Sequence, residues 1–132
     1  MADVVIQGTV TAPIATGGPT APLYIGSPKV SPVATTDTLT YLESKSATLK
    51  LTSAAGAVTV SMDTVASGNL VYIGCDYQTE ITLNGNAYMI GDGSGTSSDG
   101  GFVMLRGAAV TALIVEAQLS VSTTITVAVY GD

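Results

Sequence analysis

Residues 46–62 read SATLKLTSAAGAVTVSM and contain two runs in which apolar and polar side chains alternate. In the first run Leu49 and Leu51 share one face, and Lys50 takes the other. In the second run three apolar residues share the inward face: Val58, Val60 and Met62. A period of two is typical of a β-strand with one buried face. The link at residues 53–56 is short enough for a hairpin, so the stretch predicts two consecutive strands joined by a tight connection.

The same β-type pattern recurs outward from this stretch in both directions. Alternation, β-branched residues or short apolar runs predict further strands at residues 4–6, 38–42, 69–74, 80–83, 87–90, 101–105, 110–116 and 123–130. The run at 69–74 is apolar on both faces, which is typical of a central strand. Asn84-Gly85 is a strong turn signal. Residues 108–118 mix helix and strand formers, and we predict a strand there. The fold class is therefore all-β, an antiparallel β-sandwich or jelly-roll-like domain of about eight to ten short strands.

Proline divides the chain into two parts. The five prolines all lie within the first 32 residues, at Pro13, Pro19, Pro22, Pro28 and Pro32. Proline removes a ladder donor and favours extended geometry, so residues 1–35 are predicted to form an extended N-terminal arm and residues 36–132 the β-sandwich domain. The arm also carries apolar candidates for interaction: Ile14, Leu23, Tyr24, Ile25 and Val30. Such an arm either folds back on its own domain or crosses onto a neighbouring subunit.

Composition limits the classes of partner. Charged residues make up 11% of the chain, less than half the ~25% usual for soluble domains. A surface with few charges suits a protein that packs against others. The net charge of -6 disfavours nucleic acid and anionic membrane surfaces as partners. The N-terminus has no signal-peptide pattern, and no apolar run is long enough for a membrane span, so we expect synthesis in the cytoplasm.

The residue types that catalysis needs are scarce. The chain contains no histidine and no tryptophan, and Cys75 is its only cysteine, followed directly by Asp76. A thiol without a histidine and beside a carboxylate is a poor nucleophile, so we interpret it as structural. Five carboxylates that might serve acid/base chemistry have no spacing that pairs them: Glu43, Asp63, Asp76, Glu80 and Glu116. We therefore predict no catalytic residue, no cofactor and no metal site, and expect that the protein is not an enzyme.

The longest polar segment lies at residues 91–101, GDGSGTSSDGG. Asp92, Ser94 and Thr96 have the alternate spacing of a calcium loop, but the twelfth position from Asp92 is Val103 instead of a bidentate glutamate. The segment also lacks the lysine of a phosphate-binding loop. We interpret it as a surface loop between two strands, with a cation site as the alternative. As the longest polar loop it offers four further interaction candidates: Asp92, Ser94, Thr96 and Asp99.

Three segments carry a resemblance to a known group of proteins. The proline-rich arm, residues 40–51 (TYLESKSATLKL) and residues 123–132 (TTITVAVYGD) resemble the small virion structural proteins of tailed bacteriophages. The resemblance implies a head decoration or cement protein that forms homo-oligomers, binds the major capsid protein or other virion subunits, and is located in the virion. A tail or fibre component is the alternative within that group. From the residues alone, the 91–101 loop and the tyrosines support a different alternative, a carbohydrate- or receptor-binding β-module.

Overall fold

The computed structural model describes residues 2–7, 9–10, 23–24, 36–91 and 99–132, which fall into two compact units, Met1–Thr40 and Tyr41–Asp132. The first unit contains the strands β1 (Ala2–Gln7), β2 (Thr9–Val10) and β3 (Leu23–Tyr24), together with β4 (Thr36–Tyr41) except for its last residue. β1 pairs with β4, and β2 pairs antiparallel with β3. The predicted division into an extended arm (1–35) and a domain (36–132) stays a prediction, because most of the arm lies outside the described residues.

The second unit is a sandwich of two four-stranded antiparallel sheets. Its strands are β5 (Glu43–Leu51), β6 (Val58–Thr59), β7 (Gly68–Cys75), β8 (Thr79–Leu83), β9 (Asn86–Ile90), β10 (Gly101–Val110), β11 (Leu113–Ala117) and β12 (Thr123–Gly131). The front sheet has the order β10-β7-β12-β5, and the back sheet has the order β6-β11-β8-β9. The described residues contain no α-helix and only one short 3₁₀ turn. The predicted all-β antiparallel sandwich is confirmed, with eight strands in this unit.

The alternation of buried and exposed residues along the strands shows which faces form the core. Along β12 the inward residues Ile125, Val127 and Val129 are buried, whereas Thr126 between them is exposed. Both sheets contribute to one cluster of packed apolar side chains, for example Ile73 from the front sheet and Val115 from the back sheet. The members of the cluster are Val60, Met62, Val65, Val71, Ile73, Ile81, Leu83, Ile90, Val110, Leu113, Val115, Ile125, Val127 and Val129. This shared cluster joins the sheets face to face, and burial of its apolar area stabilises the sandwich.

The predicted tight connection at residues 53–56 is not a hairpin. β5 lies in the front sheet and β6 in the back sheet, so the link carries the chain across the core. It does so through a 3₁₀ turn at Ser53–Ala55, followed by Gly56 with a φ of 64°. The predicted burial is correct, because Val60 and Met62 are both buried, but only two residues of the run form a strand. Alternation predicts which face is buried; it contains no information about which sheet a strand joins.

The turn at Asn84-Gly85 and the strand at β11 match their predictions. Asn84 and Gly85 have φ values of 49° and 83°, both in the left-handed region that a two-residue hairpin turn requires. β8 and β9 pair directly across this turn. In the ambiguous window at residues 108–118, β10 continues to Val110 and β11 covers Leu113–Ala117, whereas Thr111, Ala112 and Gln118 belong to no strand. Tertiary pairing on both sides of β11 therefore decides against helix.

Candidate interaction surface

The four edge strands of the sandwich differ in how they are protected. β6 has only two residues and β9 five, so each offers a short unpaired edge. β5 turns Lys45 toward the core face, where its ammonium forms an ion pair with Asp63. An inward-pointing charge and a short edge both discourage pairing with another chain. β10 has ten residues and pairs only with β7 among the described strands, and no charged side chain precedes Arg106 in it. It is the least protected edge of the sandwich.

Large apolar side chains are exposed around this unprotected edge. Phe102 is 68% exposed and Tyr88 is 55% exposed, and Met89, Met104 and Tyr72 are also exposed. Phe102 and Met104 lie on β10, Tyr72 on the neighbouring β7, and Tyr88 and Met89 on β9. We call these five residues the apolar edge. Exposed large apolar side chains that cluster on a protein surface mark a region that contacts a partner or ligand.

Strand register holds three of these residues together on the outer face of the front sheet. Phe102 lies directly opposite Gly74, and Met104 directly opposite Tyr72. The rings of Tyr72 and Phe102 are stacked, with centroids 6.0 Å apart and an angle of 25° between their planes. A Cβ atom on Gly74 would lie 2.7 Å from the Tyr72 hydroxyl oxygen, so a larger residue at position 74 would displace the tyrosine ring from its place over the strand. The aromatic ring in turn covers the exposed backbone at the glycine.

A cleft opens between β9 and β10, on the side of the sandwich where the two sheets part. Its volume is about 440 Å³. Core-facing side chains of both sheets line its floor, among them Ile81, Leu83 and Leu105. Tyr88 and Phe102 stand at its lips. The hydrophobic core is therefore continuous with an open apolar cleft at this edge.

A shallower depression lies beside the aromatic pair on the outer face, with a volume of about 620 Å³. Thr124, Thr126 and Asp76 line it together with the two rings. The Asp76 carboxylate accepts a hydrogen bond from the Thr124 backbone N–H at 2.7 Å, which fixes the β7–β8 loop against β12. The half-buried Cys75 thiol lies 3.6 Å from the Gly101 carbonyl oxygen, to which it donates. The depression therefore combines flat apolar rings with hydroxyl and carboxylate groups.

The residues predicted from sequence as interaction candidates are only partly placed. Asp92, Ser94 and Thr96 lie outside the described residues. Asp99 is described and exposed, two residues before Gly101, which lines the cleft. Between them, the Gly100 N–H donates to the Asp76 carbonyl oxygen at 3.0 Å, which holds the start of β10 against the end of β7.

The arm candidates belong to the first unit. Leu23 and Tyr24 form β3, where they lie opposite Val10 and Thr9 respectively. Three others lie outside the described residues: Ile14, Ile25 and Val30. These five candidates and the apolar edge thus lie in separate units, and the arm candidates stay a prediction.

The carboxylates of the sandwich make separate contacts. Hydrogen bonds from Lys45 and Ser61 and the positive charge of Lys45 lower the pKa of Asp63 below its usual 3.8. Glu43 accepts a hydrogen bond from the Thr64 hydroxyl at 2.9 Å. Glu80 and Glu116 lie directly opposite each other across β8 and β11. Within the described ranges, no group of three histidine, cysteine, aspartate or glutamate residues is arranged to hold a metal ion.

Comparison with known proteins adds no relative. No family model, curated protein or solved structure matches the chain. The described part of the chain contains no apolar helix of membrane-spanning length. The apolar edge was not predicted from sequence, although Phe102 and Met104 share a face that should have been polar if it were solvated. That anomaly was the available signal for it.

Proposed function

We propose that the protein is a non-enzymatic structural protein of a tailed-bacteriophage virion, and that it decorates and stabilises the head shell as a cement protein. The observation that supports this proposal is the apolar edge on an otherwise weakly charged sandwich. Phe102 and Met104 present apolar area beside an outer sheet face of mostly threonine and serine, whose charged side chains are Arg106 and Lys50, so a partner can cover the two apolar residues with little desolvation of charge. An apolar β-surface suits permanent assembly.

The energetics of a shell favour such a surface. A decoration protein contacts several shell subunits that are held in a lattice, so individually modest interfaces act together. Exposed aromatic residues are the usual anchors of protein interfaces, and Phe102 is the most exposed large apolar residue among those described. The partner that fits is an apolar patch on the major capsid protein or on another virion subunit. The resemblance of the arm and of residues 40–51 and 123–132 to small virion proteins supports the same role.

The test uses particles with and without the protein. Particles that lack it are expected to lose their contents at lower temperature and under milder osmotic shock than complete particles. The purified protein added back should restore resistance, whereas Phe102→Ser should bind shells at least about tenfold more weakly. Thr48→Ala is the matched control, because Thr48 is exposed on the opposite edge strand of the same sheet. Equal resistance of particles with and without the protein contradicts the cement role.

The number of copies per virus particle distinguishes a head decoration protein from a tail component. A decoration protein is present in proportion to the shell subunits, whereas a tail or fibre component is present in a small number of copies. Quantitative mass spectrometry of purified particles, with labelling to locate the protein, measures this. A handful of copies at the tail would refute the head assignment and leave the structural class intact.

A second candidate function has its own observation. The stacked Tyr72 and Phe102 rings lie beside Thr124 and Thr126, and flat rings flanked by hydroxyl groups suit the apolar face and hydroxyls of a sugar. A glycan-array signal that Phe102→Ala abolishes, and that the Thr48→Ala control retains, would support a carbohydrate-binding module. Silence across the array counts against it.

A further inference from the structure

The ten-residue strand β10 has an unpaired outer edge that other features of the fold leave unprotected. In a paired strand, half of the backbone N–H and C=O groups point to each neighbour, so the outer half of those in Gly101 to Leu105 lacks a strand partner within the described part of the chain. Residues Gly101 to Leu105 carry no charge and no proline. Gly107, with a φ of 80°, and the register irregularity after Arg106 end the regular pairing. The segment available for a further strand is therefore residues 101–105.

We propose that this segment pairs antiparallel with the same segment of a second copy of the chain, so that two front sheets form one continuous eight-stranded sheet. An antiparallel strand pair is related by a two-fold axis, and closed two-fold dimers are the commonest oligomers. Self-pairing brings no carboxylates together, because residues 101–105 contain none. The same operation on β5, the other edge of this sheet, would bring together a strand that carries Glu43, Lys45 and Lys50. The charge distribution therefore selects β10 as the self-pairing edge.

The pleat restricts the register of this pair. Val103 and Leu105 face the core, whereas Phe102 and Met104 face outward. The core-facing side chains of both copies must stay on the same side of the joined sheet, because a one-residue slip turns them to the other face. Residues of equal orientation are then opposite one another, and one residue lies opposite itself at the two-fold axis. Within residues 101–105 the candidates at or next to the centre are Val103 and Met104.

Dimer formation changes the surroundings of the apolar edge both on the outer face of the front sheet and at the cleft. On the outer face, the Tyr72–Phe102–Met104 clusters of the two copies become neighbours across the axis, so one surface becomes a two-fold symmetric pair of surfaces. On the inner side, the second copy's Val103 and Leu105 point toward the layer that contains β9 and approach the mouth of the cleft. The dimer therefore covers apolar area at the cleft and leaves the aromatic pairs free for a further partner. It does not depend on the virion role, since the purified protein alone can show it.

The first test measures mass and its response to charge. Sedimentation equilibrium of the purified full chain is expected to give twice the 13.2 kDa of one copy. Met104→Glu places two carboxylates near the axis and should raise the dissociation constant at least about tenfold. Thr48→Glu, outward and exposed on β5, is the matched control and should leave the dimer unchanged. Circular dichroism of each variant verifies that the sandwich is folded. A monomer up to ~1 mM, or equal effects of the two variants, overturns the proposal.

The second test fixes the interface independently of any destabilised variant. In a Cys75→Ser background, Val103→Cys and Met104→Cys are made singly and oxidised. The residue opposite itself should form an intermolecular disulfide, because its Cα atoms are about 5 Å apart. Thr48→Cys should stay unlinked. Cross-linking at Thr48 alone, or at none of the three positions, contradicts pairing through β10. If the dimer forms but Phe102→Ser still binds shells normally, only the proposed docking surface for the shell is wrong.

Discussion

Asn84 joins two separate parts of the sandwich, and its replacement makes the sharpest stability prediction. Its side-chain Oδ1 accepts hydrogen bonds from the backbone N–H groups of Thr111 and Ala112 at 2.8 and 3.1 Å. Its Nδ2 donates to the Ala109 carbonyl oxygen at 2.8 Å. The residue therefore holds the β10–β11 connection against the β8–β9 turn. At the same time its φ of 49° lies in the left-handed region, which asparagine tolerates better than most residues.

The cost of Asn84→Ala follows from these two roles. Each of the three backbone hydrogen bonds contributes about 0.5–1 kcal/mol near solvent, where water replaces part of the loss, so together they contribute about 2 kcal/mol. Alanine in the left-handed region costs about 1 kcal/mol more. We therefore expect Asn84→Ala to lower the free energy of unfolding by about 3 kcal/mol, a large fraction of the total for a domain of this size.

A short series of variants separates the two contributions. Asn84→Gly removes the hydrogen bonds without the backbone strain, so it should cost about 2 kcal/mol, about 1 kcal/mol less than alanine. Asn84→Asp keeps the acceptor and loses the donor to Ala109, and should cost about 1 kcal/mol. Asn86→Ala, exposed just after the turn, is the control and should be nearly neutral. Urea denaturation at 25 °C measures all four. If the alanine variant is as stable as the glycine variant, the strain argument is refuted; if both match the parent chain, the hydrogen-bond argument is refuted too.

Three further predictions concern charge and backbone geometry. Glu80→Gln removes one of two carboxylates that lie opposite each other across β8 and β11, so the free energy of unfolding should rise by about 0.5 kcal/mol in low salt. A loss of stability in urea denaturation would contradict this prediction. Lys45 lowers the pKa of Asp63 in the folded protein, so the ionised Asp63 carboxylate stabilises the fold above about pH 4, and this stabilisation is lost as the pH falls through the folded pKa. Below about pH 4 the free energy of unfolding of Asp63→Asn should therefore depend less on pH than that of the parent protein. Gly91→Ala should lower the melting temperature more than Gly107→Ala. Both glycines have a positive φ, but of the two only Gly91 would place a Cβ 2.5 Å from a carbonyl oxygen. Equal changes in melting temperature would show that the protein relieves this close contact.

Alternation predicted those features that depend on the two faces of a strand. In β12 the residues Ile125, Val127 and Val129 repeat every second position, and all three are buried. The Asn84-Gly85 turn was also predictable, since few residue pairs adopt left-handed geometry twice in succession. Burial and turn chemistry are local properties that a single segment encodes.

The order of the strands within the two sheets was not predictable, because it depends on which strands become neighbours. The segment at residues 53–56 has the length of a hairpin and yet crosses between sheets. For the same reason the apolar edge was missed. Asn84 provides a second example, because its three backbone partners lie 25–28 residues away in the chain, and the turn signal contains no trace of them.

The contrast between β7 and β10 is the strongest argument that β10 is central in an assembly. Both strands have apolar residues on both faces, Val71 and Tyr72 in one and Val103 and Phe102 in the other. β7 has a strand on each side, as that pattern predicts, whereas β10 has one neighbour in the described chain and leaves Phe102 68% exposed. Apolar residues on both faces are typical of a strand that is covered on both faces, and on an exposed edge strand they promote association. In the proposed dimer a second copy of β10 supplies the missing neighbour, and the two aromatic pairs that it leaves exposed would act together on a partner with repeating subunits, such as the shell of the proposed virion role.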